Sequence, residues 1–216
     1  MNYLVAEKVS KVFSHGFFRG KTFSVLNDLS FEVALGEGLW VRGKNGSGKT
    51  TLLRTLASLS LPTKGKVFLA GINLALQPNL AQQHIAYVPA EQLGFFGRLS
   101  NRDNLKLFCT LNEEEFQPEE NHTSMMIAAL GLGSFLDTPF EKSSSGIRKK
   151  CLLLSALLKK PKVLLIDEIF SNIDAESREQ MNHLLEAQVT KNPMALVWVA
   201  HESRQPFHFP CKELHL

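Results

Sequence analysis

The sequence predicts an α/β fold: a mainly parallel central sheet with a block of helices inserted into it. Three observations predict it. Short β-like runs alternate with helical patterns, and the later runs "HIAYV", "VLLID" and "ALVWVA" are nearly all apolar, as strands covered on both faces are. A glycine-rich turn, "GKNGSGKTT" at 43–51, separates the run "GLWVR" from a helical face. From about Leu99 to Leu158 the strand signal stops, and "SNRDNLKLFCTL", "EENHTSMMIAALGL" and "GIRKKCLLLSALLKK" all read as helices.

The remaining elements follow in chain order. "YLVAEKV" near residue 3, "LSFEV" at 29 and "KVFLA" at 66 are further β-like runs. After the glycine-rich turn, leucines 52, 53, 56 and 59 are predicted to make one helical face. From Asp174, "DAESREQMNHLLEAQV" opens with an N-cap residue and early acids, as a helix start prefers. The expected organisation is a single domain over 1–216. A nucleotide-binding core takes 1–92 and 159–216, and a helical lobe takes about 93–158.

Composition narrows the function classes. The chain has 216 residues, 44% hydrophobic and 21% charged, with a formal net charge of +3. That balance is too mild to predict a nucleic-acid partner. No apolar stretch approaches the roughly 20 residues of a membrane-spanning helix, and the N-terminus lacks the apolar core of a signal peptide. Cys109, Cys151 and Cys211 are scattered and fit neither a disulfide framework nor a metal spacing, which points to a reducing compartment.

The turn at 43–51 carries the most chemistry. Gly43, Gly48, Lys49 and Thr50 fit G-x-x-x-x-G-K-[ST], with a strand before and a helix after. Gly43, Gly46 and Gly48 let backbone N–H groups turn inward around a polyphosphate, and the helix N-terminus adds partial positive charge. Asn45, Ser47 and Thr51 lie in the same cradle. Lys49 is expected on the β- and γ-phosphates and the Thr50 hydroxyl on Mg²⁺. "KVLLIDE" then places Asp167 and Glu168 at the end of a buried strand. Asp167 is expected to hold Mg²⁺. Glu168 is expected to polarise the attacking water, a role worth roughly 10²–10⁴-fold in rate.

With these residues the chain resembles the ATP-binding subunits of ATP-binding cassette (ABC) transporters, over nearly its whole length. "SSSGI" at 143–147 resembles that family's signature loop, L-S-G-G-Q: Ser144 and Gly146 match, while Ser143, Ser145 and Ile147 depart. The helix that follows, "SNID" ending in Asp174, His201 after "ALVWVA", and Phe13 in "VSKVF" resemble its signature helix, D-loop, switch histidine and adenine-stacking aromatic. For the family glutamine after "HIAYV" the sequence offers three candidates, Ala90, Glu91 and Gln92, and a carboxylate at Glu91 still suits Mg²⁺. Ile169 stands where the family has proline, so a stiffening residue is lost.

The resemblance implies a phosphate-loop NTPase core with an N-terminal antiparallel β subdomain and an inserted helical lobe. It implies ATP and Mg²⁺ as cofactors and ATP hydrolysis as the reaction. Two copies, or one copy and a related cassette, would close head-to-tail on ATP, with Ser144 and Gly146 of one capping the γ-phosphate held by the other. A separate transmembrane permease would bind near Glu91–Phe96, where Phe95 and Phe96 read as exposed. The cassette would then sit in the cytoplasm on the inner membrane and power transport, in the exporter direction. Two other functions fit the residues: a soluble cassette ATPase acting on a protein partner, and a weakly hydrolysing nucleotide-binding module.

Overall fold

A computed structural model describes residues 2–14, 22–91, 94–200 and 205–216. Two sheets organise the chain. β1 (Asn2–Ser14) and β2 (Thr22–Ala34) pair antiparallel. After β3 (Gly38–Arg42) and α1 (Lys49–Leu56), β4 (Lys64–Leu69) and the short β5 (Ile72–Asn73) extend that sheet in the order β2–β1–β4–β5.

The second sheet is parallel. α2 (Pro78–His84) leads into β6 (Ile85–Val88). Between β6 and the next strand lie α3 (Asn101–Leu111), α4 (Asn121–Ala129) and α5 (Ser145–Leu158), with two 3₁₀ turns at Gly133–Phe135 and Phe140–Lys142. β7 (Val163–Asp167), α6 (Ala175–Lys191), β8 (Ala195–Val199) and β9 (Cys211–His215) complete the chain. The strand order is β6–β7–β8–β3–β9, every pair parallel.

Side-chain alternation along these strands builds two cores. Leu164, Ile166, Leu196 and Trp198 face one side and pack with α3–α6. Val163, Leu165, Val197 and Val199 face the other and pack with α1 and the antiparallel sheet. Covered on both faces, β7 and β8 are buried at every position. Trp40 and Trp198 stack with ring centroids 6.2 Å apart inside the first core, joining β3 to β8.

Sequence and structure differ at a few places. Leu59 is not on the α1 face: the helix ends at Leu56, and Leu59 is 59% exposed. Phe95 is not exposed; its ring packs 4.8 Å from those of Phe108 and Phe140, and only Phe96 projects outward. Strand β9, "CKELH", was not anticipated. Among the described residues it pairs with β3 alone, at the edge of the sheet, so its charged residues face outward and hide the alternation. Helix α2 carries a single buried residue, Ala81, too little to register as a helical face.

Candidate functional site

The loop from β3 to α1 is shaped by close approach. Gly48 holds φ at 101°, and a Cβ there would lie 2.7 Å from Val25 Cγ1 and 2.9 Å from the Val25 carbonyl oxygen. Only glycine fits, because β2 seats directly against the loop. Helix α1 begins at Lys49 with no side-chain cap and no acid in its first turn. Its first N–H groups and the positive end of its dipole are therefore directed at the loop's interior. The Lys49 side chain is 6% exposed. Its ammonium donates to the carbonyls of Gly43 (3.0 Å) and Lys44 (3.1 Å) and stands 3.9 Å from Glu168 Oε1. The Ser47 hydroxyl is buried in the same loop and meets no hydrogen-bond partner among the described residues.

A cavity of about 480 Å³ lies against this loop. Phe13, Asn45, Gly46, Gly48, Lys49, Thr50, Thr51 and Glu168 all line it, so the structure brings these expected residues together. Two unexpected residues join them, Phe23 and Val25. Phe13 and Phe23 are 39% and 50% exposed with ring centroids 5.9 Å apart. The Lys11 ammonium lies 5.1 Å from the Phe13 centroid. An exposed aromatic pair at one end and a cationic backbone cradle at the other suit a planar base joined to a polyphosphate.

Asp167 ends β7 and is 1% exposed. Burial pushes its carboxyl above the ordinary carboxylate range; hydrogen bonds from Thr50 and Tyr87 act the other way, as does the charge of Lys49. The Tyr87 hydroxyl donates to Oδ2 at 3.2 Å, while Oδ1 is buried and meets no donor among the described residues. Among the described residues no group of three His, Cys, Asp or Glu side chains converges to hold a metal alone. One orphaned carboxylate oxygen beside a threonine hydroxyl fits Mg²⁺, which keeps few protein ligands and takes the rest from phosphate and water. Glu168 follows at φ 51°, a strained left-handed conformation, its N–H bonded to the Val199 carbonyl at 3.2 Å.

Ser144, Gly146 and Asp174 do not line this cavity. They form a second cluster where α5 and α6 start. Ser144 caps α5, accepting from the Ile147 N–H at 3.2 Å, and is exposed. Asp174 caps α6 through the Ser177 N–H (2.7 Å) and hydroxyl (2.8 Å), which hold its carboxyl below the usual range. Gly146 sits between the two helices: a Cβ there would lie 2.7 Å from Ser177 Oγ and 3.1 Å from Asp174 Oδ2. Ser145 Oγ donates to the Asn172 carbonyl at 3.2 Å, and the Lys149 ammonium to that of Ser171.

The signature departures have structural partners. Ser143 is buried, accepting from Asn101 Nδ2 at 2.9 Å, which ties the loop to α3. Ile147 and Ile169 both enter the core on the α3–α6 side. Ala90 and Glu91 are both exposed, and neither lines the cavity. Gln92 and His201 lie outside the described residues. Phe23, Val25 and Tyr87 were missed because no motif marks them; only packing places them at the site.

A second cleft, about 680 Å³, opens between α2, β6 and the C-terminal end of α3. Its walls include Leu59, Tyr87, Leu111 and Lys159; Leu59 and Leu111 are 59% and 70% exposed.

Comparison with known proteins places these features in context. Residues 26–171 match the profile of the family described as ABC transporter. The chain is 34% identical over 87% of its length to a protein of Alkalilimnicola ehrlichii named cytochrome c biogenesis ATP-binding export protein CcmA, covering 78% of that protein. It is 30% identical over 93% of its length to the lipoprotein-releasing system ATP-binding protein LolD of Shewanella sp. (strain MR-4), covering 87% of it. It is 29% identical over 92% of its length to a probable sulfate/thiosulfate import ATP-binding protein CysA of Chlorella vulgaris, covering 80% of it. In fold it is similar to the ATP-binding cassette MJ0796, solved as a dimer in a post-hydrolysis state bound to ADP and Pi. The TM-score is 0.79 at 21% identity, over 92% of this chain and 88% of that one.

Proposed function

This chain belongs to the ABC transporter family and is a cassette ATPase, and from that premise we propose that it drives a membrane exporter by closing in pairs on ATP. The observation that carries the reading is the 480 Å³ cavity that joins exposed Phe13 to Lys49, Thr50 and Glu168.

In this reading the adenine stacks on Phe13, with Phe23 beside it. The triphosphate lies on the N–H groups of residues 46–51, and Lys49 exchanges the Gly43 and Lys44 carbonyls for phosphate oxygens. Asp167 and Thr50 hold Mg²⁺, which neutralises charge on the phosphates when bound. Glu168 accepts the proton of the attacking water, its strained backbone aiming the carboxylate along the cavity wall. Exposed Ser144, the cap at the N-terminus of α5, supplies hydroxyl and N–H groups to the γ-phosphate of a second copy. Asp174 holds Ser177, and Gly146 packs on both, so the signature and D-loop segments move as one body.

The partner is a permease. No helix among the described residues is long and apolar enough to cross a membrane. The cleft with exposed Leu59 and Leu111 suits an amphipathic segment of a membrane protein, and Phe96 projects as a further contact. That attachment holds the cassette at the cytoplasmic face of the inner membrane. The export direction draws support from CcmA and LolD, while CysA bears an import name.

Steady-state phosphate release from ATP by the purified chain tests the reading. Mg²⁺-dependent turnover that disappears in Glu168→Gln is expected. Turnover unchanged in that variant overturns the assigned role of Glu168, and no turnover with or without the permease overturns the ATPase reading.

A further inference from the structure

Tyr87 belongs to no motif, yet it touches the site from behind. β6 pairs in parallel with β7, Tyr87 opposite Leu165. Asp167 lies two positions beyond Leu165, so all three side chains leave the same face of the sheet. The Tyr87 ring leans along that face, and its hydroxyl reaches Asp167 Oδ2 at 3.2 Å. In this pair the phenol O–H is the donor, because an ionised carboxylate only accepts. With Oδ2 engaged, the buried Oδ1 is the oxygen that meets no hydrogen-bond partner among the described residues. The same ring walls the 680 Å³ cleft shared with Leu111 and Lys159.

We propose that Tyr87 is a positioning residue that turns the Asp167 carboxylate toward the metal and ties its orientation to the cleft. The proposal rests on the reading of Asp167 as the metal-holding carboxylate. A carboxylate held by one oxygen cannot rotate freely, so its other oxygen is presented in a single direction. Because the donor is carried on a ring that lines the cleft, whatever presses on that ring moves the hydroxyl and the carboxylate together. A body seated in the cleft then reaches the metal position through one side chain.

The test uses the full chain and a fluorescent ADP analogue, with Mg²⁺ or with EDTA. In Tyr87→Phe, affinity with Mg²⁺ is expected to fall on the order of tenfold, the usual loss for a residue that orients a metal ligand. Affinity in EDTA is expected to stay unchanged, which also reports that the variant is folded. Equal losses in both conditions, or none in either, overturn the proposal. If the wild-type chain binds the analogue in neither condition, the nucleotide-site reading itself fails, and that outcome is distinguishable.

The cleft link has its own arm. Leu111→Trp adds bulk to the cleft wall, outside the nucleotide site. It is expected to change the affinity with Mg²⁺ by about threefold or more when Tyr87 is present, and not in the Tyr87→Phe background. The same change in both backgrounds, or none, overturns the link. The chain has two tyrosines, Tyr3 and Tyr87. In protein labelled with 3-fluorotyrosine, Mg²⁺ added to the ADP complex is therefore expected to move the Tyr87 resonance and leave that of Tyr3. A static Tyr87 resonance contradicts the proposal.

Discussion

The ammonium of Lys49 stands 3.9 Å from Oε1 of Glu168 while it donates to two carbonyls of its own loop. One buried cation thus joins the phosphate cradle to the carboxylate expected to activate water. Its removal strips the cradle of its charge. Lys49→Ala is expected to weaken ATP binding by about 100-fold, the scale of two charge-assisted hydrogen bonds worth about 1.5 kcal/mol each. Titration with a fluorescent ATP analogue checks this. An unchanged affinity contradicts the phosphate-loop assignment.

The two aromatics at the far end of the cavity separate base recognition from phosphate recognition. Phe13→Ala is expected to weaken ATP binding by about 5- to 100-fold, the usual range for losing one base–aromatic stack. Binding of inorganic tripolyphosphate should not change. Competition against the same fluorescent analogue measures both. A parallel loss for tripolyphosphate would place Phe13 in the packing of the loop instead.

Gly146 has no room for a side chain. In Gly146→Ala the added methyl must displace Ser177 Oγ or Asp174 Oδ2, which disturbs the cap of α6. A loss of about 1–3 kcal/mol, typical of overpacking, is expected in urea unfolding. ATP binding in the monomer should survive, because neither helix start lines the cavity. Unaltered stability contradicts the tight α5–α6 joint.

Asp167 sets a pH dependence of known sign. Its carboxyl is raised chiefly by burial, so at neutral pH the folded state carries an ionised group it disfavours. That penalty is present above the folded value and fades as pH falls through it. Asp167→Asn is therefore expected to raise the thermal midpoint of the nucleotide-free protein near pH 7.5. The gain should be about 2–4 °C, the scale of ~1 kcal/mol in a chain of this length. It should shrink toward acid pH. The stabilisation by Mg²⁺ and nucleotide should drop in the same variant. Differential scanning at several pH values checks each point, and a lowered midpoint near pH 7.5 contradicts the assignment.

Much of the fold was legible because its signals are local. The apolar runs of β7 and β8, the glycine turn before Lys49 and the Asp174 cap each specify their element from neighbouring residues. Edge strand β9 and helix α2 escaped because little of either is buried. Within the site, the phosphate loop follows from its motif, and the "DE" pair follows from its place at a strand end once that loop is recognised. Phe23, Val25 and Tyr87 do not, because the first two reach the site from β2 and the third from β6 through tertiary packing. Phe95 read as exposed from its polar and glycine neighbours, but Phe108 and Phe140 arrive from later in the chain to cover it.

The shared-site claim is tested most directly by sizing chromatography of Glu168→Gln with ATP and Mg²⁺. Binding is retained in this variant and water activation is lost, so the chain should elute as a dimer with ATP and as a monomer with ADP. Elution as a monomer under both conditions would contradict the account, because Ser144 of one copy would then have no γ-phosphate to reach.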